Sequence, residues 1–362
     1  MIPWPPFRAS SRTSAVVEER KITVPQSYRP ARWLSNPHLV TMWGKFFKAP
    51  RVLSTRTERW DTPDGDFVDV LRTDAPPDAP TFLLLHGLEG GARSHYAAGT
   101  LLEAGARGWQ GNLLVFRTCG DEMNRAPRSY HSGETADLDL VVRRLLEERP
   151  HAPLVLGGVS LGGNVLLKWL GEQEGTVDSR VRAAVAVSVP FDLARSCAHM
   201  ERGFTRLYGW NFLKSLKRKA LEKLDQHPGI ANRDRVIAAR TLWEFDDAFT
   251  AVAHGFRDAA DYYQRSSSIH FLDRIRVPTL LLSARDDPFH PYEVLDDVAR
   301  IADANSALRT EFTDRGGHVG FLEGAHPWRT ANYAERRIVH FCESMLAEAV
   351  RENPVEGRGT AR

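Results

Sequence analysis

The sequence has few cysteines and no long apolar run, and both absences exclude classes of protein. Its three cysteines, Cys119, Cys197 and Cys342, are odd in number and far apart, so they offer neither a disulfide framework nor a C-x-x-C metal site. The longest uniformly apolar stretch lies within residues 183–189, far short of the roughly 18 residues that a membrane span needs. Residues 1–6 lack the basic-then-apolar layout of a secretion signal. We therefore expect a cytoplasmic protein in a reducing compartment.

The chain also lacks a strong excess of charge of either sign. Its 48 Lys and Arg nearly balance 46 Asp and Glu, which leaves a formal net charge of +2, so no overall field attracts nucleic acid. Hydrophobic residues make up 42% and charged residues 26%, as in ordinary globular proteins rather than disordered or fibrous ones. A length of 362 residues suits an α/β fold with an insertion, which can form one unit of this size.

Short apolar runs alternate with helix-patterned segments along most of the chain, and this rhythm predicts the fold. The predicted strands are residues 55–60, 67–72, 81–85, 112–116, 154–159, 181–189, 278–283 and 308–312. The predicted helices are residues 95–107, 134–149, 161–174, 291–302 and 328–350. Ser132 is predicted to cap the second of these helices. We therefore expect an α/β fold with a mostly parallel sheet, helices on both faces, and an antiparallel hairpin at its start.

The alternation of predicted strands and helices is interrupted in one segment, residues 192–272. This interruption predicts a helical cap inserted into the fold. Residues 1–50 are rich in Pro and Arg without a sustained period, and they are expected to wrap the domain as an arm. The core then comprises residues 51–191 and 273–350, and residues 351–362 form a flexible tail.

Residues 158–162 read Gly-Val-Ser-Leu-Gly and match the G-x-S-x-G elbow of the α/β-hydrolase fold. The match lies between a predicted buried strand and a helix-patterned run, which is the context that the elbow requires. Small neighbours let strand and helix approach closely there, and the helix N-terminus favours negative charge beside Ser160. The pattern therefore predicts Ser160 as the nucleophile. The alternative is a serine that only caps a helix after a glycine turn.

Two acidic residues and one histidine follow in the order nucleophile, acid, histidine that this fold uses. Asp286 and Asp287 come just after one predicted strand, and His318 lies in a glycine loop after the next. Both positions are carboxyl ends of strands, where open parallel sheets bind ligands. Adjacent residues leaving a strand point to opposite sides, and Asp287 directly precedes Pro288. We predict Asp287 as the triad acid, His318 as the base, and Asp286 as a brace of the turn.

An oxyanion hole needs two N–H donors. We expect one from Leu161, after the nucleophile, and the other from Leu88 in the loop at residues 86–91. His86 in the same loop is either a catalytic base or a brace, and the brace is the favoured interpretation. The sequence contains no H-E-x-x-H, phosphate-loop or dinucleotide motif, so neither a metal nor a cofactor is expected.

The cap contains an amphipathic helix. Leu213, Leu216, Ala220 and Leu224 fall on one helical face among interleaved basic residues. One interpretation places this apolar face over an acyl pocket while the lysines stay in water. The other places the helix transiently on anionic lipid. The first is favoured.

With these residues in view, the chain resembles the YheT-like branch of the α/β-hydrolases, from about Trp33 to the last helix. The motifs that carry the resemblance are residues 36–41, 86–90, 127–135, 160–166, 245–247, 261–263, 286–288 and 317–321. The resemblance implies hydrolysis of acyl esters without a cofactor, and relatives act on medium-chain esters, monoacylglycerols or phospholipids. Relatives that anchor in membranes carry an N-terminal apolar segment, which this sequence lacks.

The sequence thus predicts a serine carboxylesterase that cleaves short- to medium-chain acyl or lipid-like esters through an acyl-Ser160 intermediate, with no nucleic-acid partner. Acyl transfer to an alcohol is an alternative, because it uses the same triad. A non-catalytic binding module on a hydrolase scaffold is another. The sequence leaves acyl length, alcohol group and oligomeric state open.

Overall fold

A computed structural model describes residues 27–47, 51 and 53–352, and its centre is an eight-stranded sheet. The strands are β1 (Arg56–Asp61), β2 (Phe67–Arg72), β3 (Thr81–Leu85), β4 (Gln110–Val115), β5 (Leu154–Val159), β6 (Val181–Val187), β7 (Thr279–Ala284) and β8 (Leu308–Thr313). Their order across the sheet is β1-β2-β4-β3-β5-β6-β7-β8. Two further strands, β9 (Leu322–His326) and β10 (Arg329–Asn332), form a separate antiparallel pair.

The sheet is parallel from β3 to β8, and β1 and β2 add an antiparallel edge. Every residue of β3, β5 and β7 is buried, as expected where helices cover both faces of a parallel sheet. In the register, Leu84 of β3 lies between Leu113 of β4 and Gly157 of β5. The predicted α/β class, the mostly parallel sheet and the opening hairpin are confirmed.

Helices lie on both faces of this sheet. Those of the sheet layers are α2 (Ala97–Gly105), α3 (Ala136–Glu148), α4 (Leu161–Glu172), α11 (Glu293–Asp303) and α12 (Tyr333–Glu352). One apolar cluster joins α3, α4 and α11 to the sheet, and a second joins α2 and α12 to its other face. These two clusters form the core that fixes the strand ends in space.

Between β6 and β7 the chain forms helices instead of strands. These are α5 (Leu193–Met200), α6 (Arg206–Gln226), α7 (Arg233–Ala238), α8 (Leu242–Phe245), α9 (Ala251–Ala253) and α10 (Ala259–Ser266), with a π-helical turn, Asp246–Thr250, between α8 and α9. An apolar cluster of its own, which includes Leu213, Val236 and Phe249, holds part of this inserted segment together. The division of the chain into arm, core, cap and tail stays a prediction.

The structure differs from the sequence-based boundaries in three places. A helix, α1 (Pro37–Phe47), lies in the region expected to be an irregular arm. The β9–β10 pair occupies the start of the last predicted helix, which begins only at Tyr333. Ser132 does not cap α3, because that helix begins after Thr135. The rest of the expected arm (1–26 and 48–50) and most of the expected tail (353–362) lie outside the described residues.

Among the described residues, no helix combines the length and the apolar character needed to cross a bilayer.

Candidate active site

The predicted nucleophile lies at a sharp turn between β5 and α4. Ser160 has φ 54° and ψ −122°, a region that non-glycine residues rarely adopt and that costs backbone strain. Its N–H donates to the Val187 carbonyl at 2.8 Å, which helps to hold the turn. Helix α4 lies so close to the end of β3 that a Cβ on Gly162 would lie 2.5 Å from the His86 carbonyl oxygen. The glycine is therefore required by space.

The structure brings the three predicted triad residues together. Nε2 of His318 lies 3.0 Å from Oγ of Ser160, and Nδ1 of His318 lies 2.8 Å from Oδ2 of Asp287. Because a carboxylate only accepts hydrogen bonds, Nδ1 carries the proton and Nε2 is left to accept one from the hydroxyl. His318 is also stacked on the ring of Phe289, with centroids 4.0 Å apart. The imidazole is therefore held in one orientation and one tautomer.

The two neighbouring aspartates have different partners. Asp287 is buried, and burial alone would raise its pKa, but nearby His290 and His318 and the hydrogen bonds to its oxygens outweigh burial and lower the pKa. Asp286 does not contact His318; its Oδ1 accepts from the N–H of Gly317 at 2.8 Å, and burial raises its pKa. The geometry thus gives Asp287 the orienting position and Asp286 the loop-bracing one.

A second histidine contacts the same carboxylate. Nε2 of His290 lies 3.4 Å from Oδ2 of Asp287, and neither ring nitrogen has a hydrogen-bond partner among the described residues. Burial lowers the pKa of His290, although the Asp287 carboxylate opposes this shift. Sequence reasoning did not single out His290, although its position three residues after Asp287 was visible.

Helix α1 holds the loop that carries the histidine. The N–H of His318 donates to Oγ1 of Thr41 at 2.9 Å, and that hydroxyl donates in turn to the Pro37 carbonyl at 2.7 Å. The N–H of Val319 donates to Oγ of Ser188 at 3.0 Å. The motif at residues 36–41 was part of the resemblance, but no role for Thr41 was predicted.

The loop after β3 is braced at several points. Both ring nitrogens of His86 form hydrogen bonds with backbone groups. Nδ1 donates to the Gly87 carbonyl at 2.8 Å, and Nε2 accepts from the Phe116 N–H at 3.1 Å. Burial lowers the pKa of His86 to about 4, so the ring is neutral and braces the loop. The hydroxyl of Tyr96 accepts from the Gly87 N–H at 2.7 Å. These bonds fix the backbone on either side of the predicted donor at Leu88.

The predicted oxyanion donors are the backbone N–H groups of Leu88 and Leu161. Leu161 is the first residue of α4, where N–H groups lack intrahelical acceptors. Within the described part of the chain, neither N–H donates a hydrogen bond to another group. Both residues line the same cavity as Ser160. Two free donors thus flank the hydroxyl.

That cavity has a volume of about 1070 Å³ and runs from the triad to the inserted segment. Its lining is mainly apolar and aromatic beyond the polar end at Ser160. The aromatic side chains include Phe204, Tyr208, Trp210, Phe212, Phe245 and Phe289. A cavity of this size and character suits an apolar ligand with one reacting polar end.

Helix α6 lines the cavity with only part of the predicted stripe. Leu213, Ala220 and Leu224 pack against other helices of the inserted segment. Leu216 does line the cavity, together with Tyr208 and Phe212 from outside the stripe. The expectation that the lysines stay in water is wrong for Lys219 and Lys223. Both lie on the side of α6 that faces the sheet layers.

A cluster of His131, Glu134 and His254 offers three ligand atoms within 4.8 Å of one another. Nδ1 of His131 accepts from the Gly133 N–H at 3.1 Å, which leaves its proton on Nε2, facing Glu134. Burial and then the neighbouring His254 lower the pKa of His131 well below its usual value. Arg128 lies 2.8 Å from Glu134, and its charge disfavours a cation there.

The sequence model of the alpha/beta hydrolase fold family matches residues 80–325, and the chain belongs to this family. It is 42% identical over 305 residues to YheT of Escherichia coli (strain K12), a protein named as a candidate esterase, in a match that covers 82% of this chain and 88% of that protein. The chain is thus a member of the YheT-like branch, and the resemblance predicted from the motifs is confirmed.

Two further comparisons agree with this assignment. The chain is 29% identical to phospholipase ABHD3 of Mus musculus, over 92% of this chain and 82% of that protein. Among solved structures, the esterase Pf2001 of Pyrococcus furiosus aligns with a TM-score of 0.52 and 16% identity, over 85% of this chain and 98% of that chain. At that identity the structural likeness shows the fold alone.

Proposed function

We propose that this protein is a serine carboxylesterase that hydrolyses acyl esters with a medium-length or lipid-like acyl chain. The main support is the chain of hydrogen bonds from Asp287 through His318 to Ser160. Oδ2 of Asp287 lies 2.8 Å from Nδ1 of His318, and Nε2 of His318 lies 3.0 Å from Oγ of Ser160. Ser160 and His318 line a mainly apolar cavity of about 1070 Å³. The names of the relatives, a candidate esterase and a phospholipase, support the same class of reaction.

The mechanism follows from which atoms can hold a proton. His318 takes the hydroxyl proton of Ser160 as the oxygen attacks the ester carbonyl, and Asp287 stabilises the imidazolium. The N–H groups of Leu88 and Leu161 donate to the developing oxyanion. His318 then returns the proton to the leaving alcohol, and an acyl-Ser160 ester remains. Water, deprotonated by the same histidine, releases the acid and restores the serine.

The first experiment labels the protein with a fluorophosphonate, followed by mass spectrometry of the labelled peptide. We expect one adduct on Ser160, because an elbow serine hydrogen-bonded to a base is unusually nucleophilic. Ser160→Ala should abolish both the label and ester hydrolysis. The control is Ser129→Ala, a serine of a neighbouring loop, which should keep both. A label that persists in Ser160→Ala contradicts the assignment.

The second experiment compares p-nitrophenyl esters from acetyl to octanoyl. Each methylene that the cavity buries is worth about 0.8 kcal/mol, so kcat/KM should rise with chain length. The variant Phe212→Ser, which places a polar side chain in the lining, should flatten this rise while leaving the acetyl ester unaffected. A profile that falls from acetyl to octanoyl in the unmodified protein would show that the cavity does not receive the acyl chain.

Docking of the cavity mouth on anionic lipid is part of the same proposal. Large apolar side chains of α1, of α6 and of the turn before α6 stand 55–67% exposed at or near the mouth, namely Leu39, Phe46, Phe47, Phe204, Leu207 and Trp210. The two helices adjoin, since Nδ1 of His38 lies 3.3 Å from the Tyr208 hydroxyl. Contiguous exposed apolar patches of this kind mark interaction sites. Exposed Arg206 adds the positive charge that favours an anionic surface.

Sedimentation with vesicles of phosphatidylcholine, with and without phosphatidylglycerol, tests this contact. We expect more protein in the pellet with the anionic lipid, less at high salt, and less for Trp210→Ser. The exposed Trp328, in the turn between β9 and β10, provides the control variant Trp328→Ser. Equal sedimentation of both variants and the unmodified protein would contradict docking through the mouth.

A further inference from the structure

Glu89 is the most unusual residue of the predicted oxyanion loop. It directly follows Leu88, and its φ of 55° lies in the left-handed region, which a glutamate adopts only where the surroundings hold it. The residues after it are glycines, so the loop has little stiffness of its own. Contacts of the Glu89 side chain and N–H support this conformation after Leu88, whereas His86 and Tyr96 brace the loop before it.

Two groups hold Glu89, and they come from different parts of the fold. The Tyr130 hydroxyl accepts from the Glu89 N–H at 2.8 Å and donates to its Oε1 at 2.9 Å. Nζ of Lys219 donates to the same Oε1 at 2.8 Å. Tyr130 belongs to the loop before α3, whereas Lys219 belongs to α6 of the inserted segment.

The ion pair between Lys219 and Glu89 is largely withdrawn from water, with side-chain exposures of 15% and 11%. Charges in such a position are screened much less than charges on the surface. The ammonium also lies 3.5 Å from Sγ of Cys119. Burial raises the pKa of that thiol to about 11, so Cys119 stays uncharged and Glu89 is the counter-ion.

Helix α6 is fixed to the same region one turn further on. Nζ of Lys223 donates to the carbonyl of Ala126 at 2.7 Å and to that of Asn124. The opposite end of the helix lines the cavity with Tyr208 and Phe212. One rigid helix thus contacts the acyl cavity at one end and the oxyanion loop near the other.

We infer that Lys219 is a positioning residue that couples the placement of α6 over the acyl cavity to the shape of the oxyanion loop. This inference rests on the proposed ester hydrolysis. An acyl chain that packs beneath α6 favours the position in which Lys219 reaches Glu89, and the Leu88 N–H then points to the oxyanion. Acyl length therefore acts on kcat as well as on KM.

The test compares Lys219→Met with the matched control Lys214→Met, an exposed lysine of the same helix. For the octanoyl ester we expect kcat of Lys219→Met to fall about 10- to 100-fold, less than or equal to the loss of a whole oxyanion donor. KM should change less than about threefold, because uniform substrate binding is untouched. Lys219→Arg should recover most of kcat, and Lys214→Met should match the unmodified protein.

Two more measurements separate positioning from simple stability. An alkyl boronic acid, whose adduct with the serine places an oxygen in the oxyanion hole, should bind Lys219→Met more weakly in proportion to the loss in kcat/KM. Hydrogen exchange at residues 86–91 should be faster in Lys219→Met than in Lys214→Met. A purely structural lysine would lower the melting temperature and leave kcat, boronate affinity and exchange at residues 86–91 unchanged, and that result overturns the inference.

Exchange at residues 86–91 needs no enzyme activity, so it decides on the coupling even if the protein proves not to hydrolyse esters. Failure of the proposed function shows instead as absence of label on Ser160 in the unmodified protein. If Lys219→Met does not fold, Glu89→Gln provides the same readouts, since it removes the ion pair while an amide oxygen still accepts from Tyr130. Unchanged exchange in Glu89→Gln would equally overturn the inference.

Discussion

Asp287→Asn changes one atom of the site and has a consequence that the hydrogen bonds define. Oδ1 of Asp287 accepts from the Phe289 N–H at 2.8 Å, while Oδ2 accepts from Nδ1 of His318 at 2.8 Å. An asparagine must keep its oxygen toward the Phe289 N–H. In the reverse orientation, the NH₂ group would face that N–H, and two hydrogen-bond donors would be placed against each other. In the allowed orientation its NH₂ group faces His318 and forces Nδ1 to accept. The proton of the imidazole moves to Nε2, which can no longer accept from Ser160.

The serine-protease precedent for this change is a loss of about 10⁴ in kcat, which corresponds to about 5.4 kcal/mol in the barrier. We expect a loss of that order for Asp287→Asn. The control is Asp286→Asn: its oxygen can still accept from the Gly317 N–H, as Oδ1 of Asp286 does at 2.8 Å. The control should therefore lose less than about tenfold, the cost of a weakened neutral bond rather than of a wrong tautomer.

The assay is kcat/KM on p-nitrophenyl octanoate, with circular dichroism of both variants to confirm folding. The rate of fluorophosphonate labelling should fall in parallel in Asp287→Asn, because that step also needs the base. A larger loss in Asp286→Asn than in Asp287→Asn would refute the assignment of the acid. So would a loss below about tenfold in a folded Asp287→Asn, since the tautomer reasoning predicts about 10⁴.

Three other substitutions test the scaffold of the site. Burial raises the pKa of Asp246 from 3.8 to about 6, so the stability that its protonated form contributes is complete below pH 3.8 and is lost as the pH rises through 6. Chemical denaturation should show that the free energy of unfolding of the unmodified protein falls by up to about 3 kcal/mol relative to that of Asp246→Asn between about pH 4 and pH 8. A difference between the two proteins that does not change with pH would contradict this. Asn164→Ala leaves one buried carbonyl, one partly buried carbonyl and one buried N–H without this partner. It should lower the free energy of unfolding by about 3 kcal/mol, and a loss below about 1 kcal/mol would contradict this. Gly162→Ala places a Cβ 2.5 Å from the His86 carbonyl oxygen and 2.6 Å from that of Leu85. The folded variant should therefore be labelled by fluorophosphonate at least about tenfold more slowly than the unmodified protein. A normal labelling rate would show that the turn at Ser160 can relax to admit the methyl group.

The parts of the site that the sequence predicted are those with a local signature. Ser160 lies in a five-residue pattern, Asp287 follows a buried apolar run, and His318 lies in a glycine loop after the next predicted strand, so their strand-end positions could be read directly. The fold was predictable for the same reason, because buried parallel strands are apolar on both faces. The β9–β10 pair escaped prediction because its strands are short and partly exposed.

Long-range contacts had no such signature. The bond from His318 N–H to Thr41 joins residues 277 positions apart, and nothing around Thr41 indicates which loop it meets. Lys219 and Lys223 were assigned to water because lysines on an amphipathic helix usually stay there. Their partners are a carboxylate and backbone carbonyls about a hundred residues upstream, and only the folded chain shows that this side of α6 faces them.

The backbone strain of the protein is concentrated at the site, and each strained residue has a support from elsewhere in the fold. Among the non-glycine residues with positive φ are Glu89, Ser160, Ser188 and Val319, and they follow β3, β5, β6 and β8 respectively. Such conformations cost on the order of 1–3 kcal/mol each, so they persist only under external bonds. The N–H of Val319 donates to Ser188, and Ser160 is held by the backbone of β6. Glu89 is held by Tyr130 and also by Lys219 of the inserted segment. The Ser160 turn is thus held by the sheet and the His318 loop by Ser188 and α1, whereas the loop after β3 is held in addition by α6, the contact on which the proposed coupling rests.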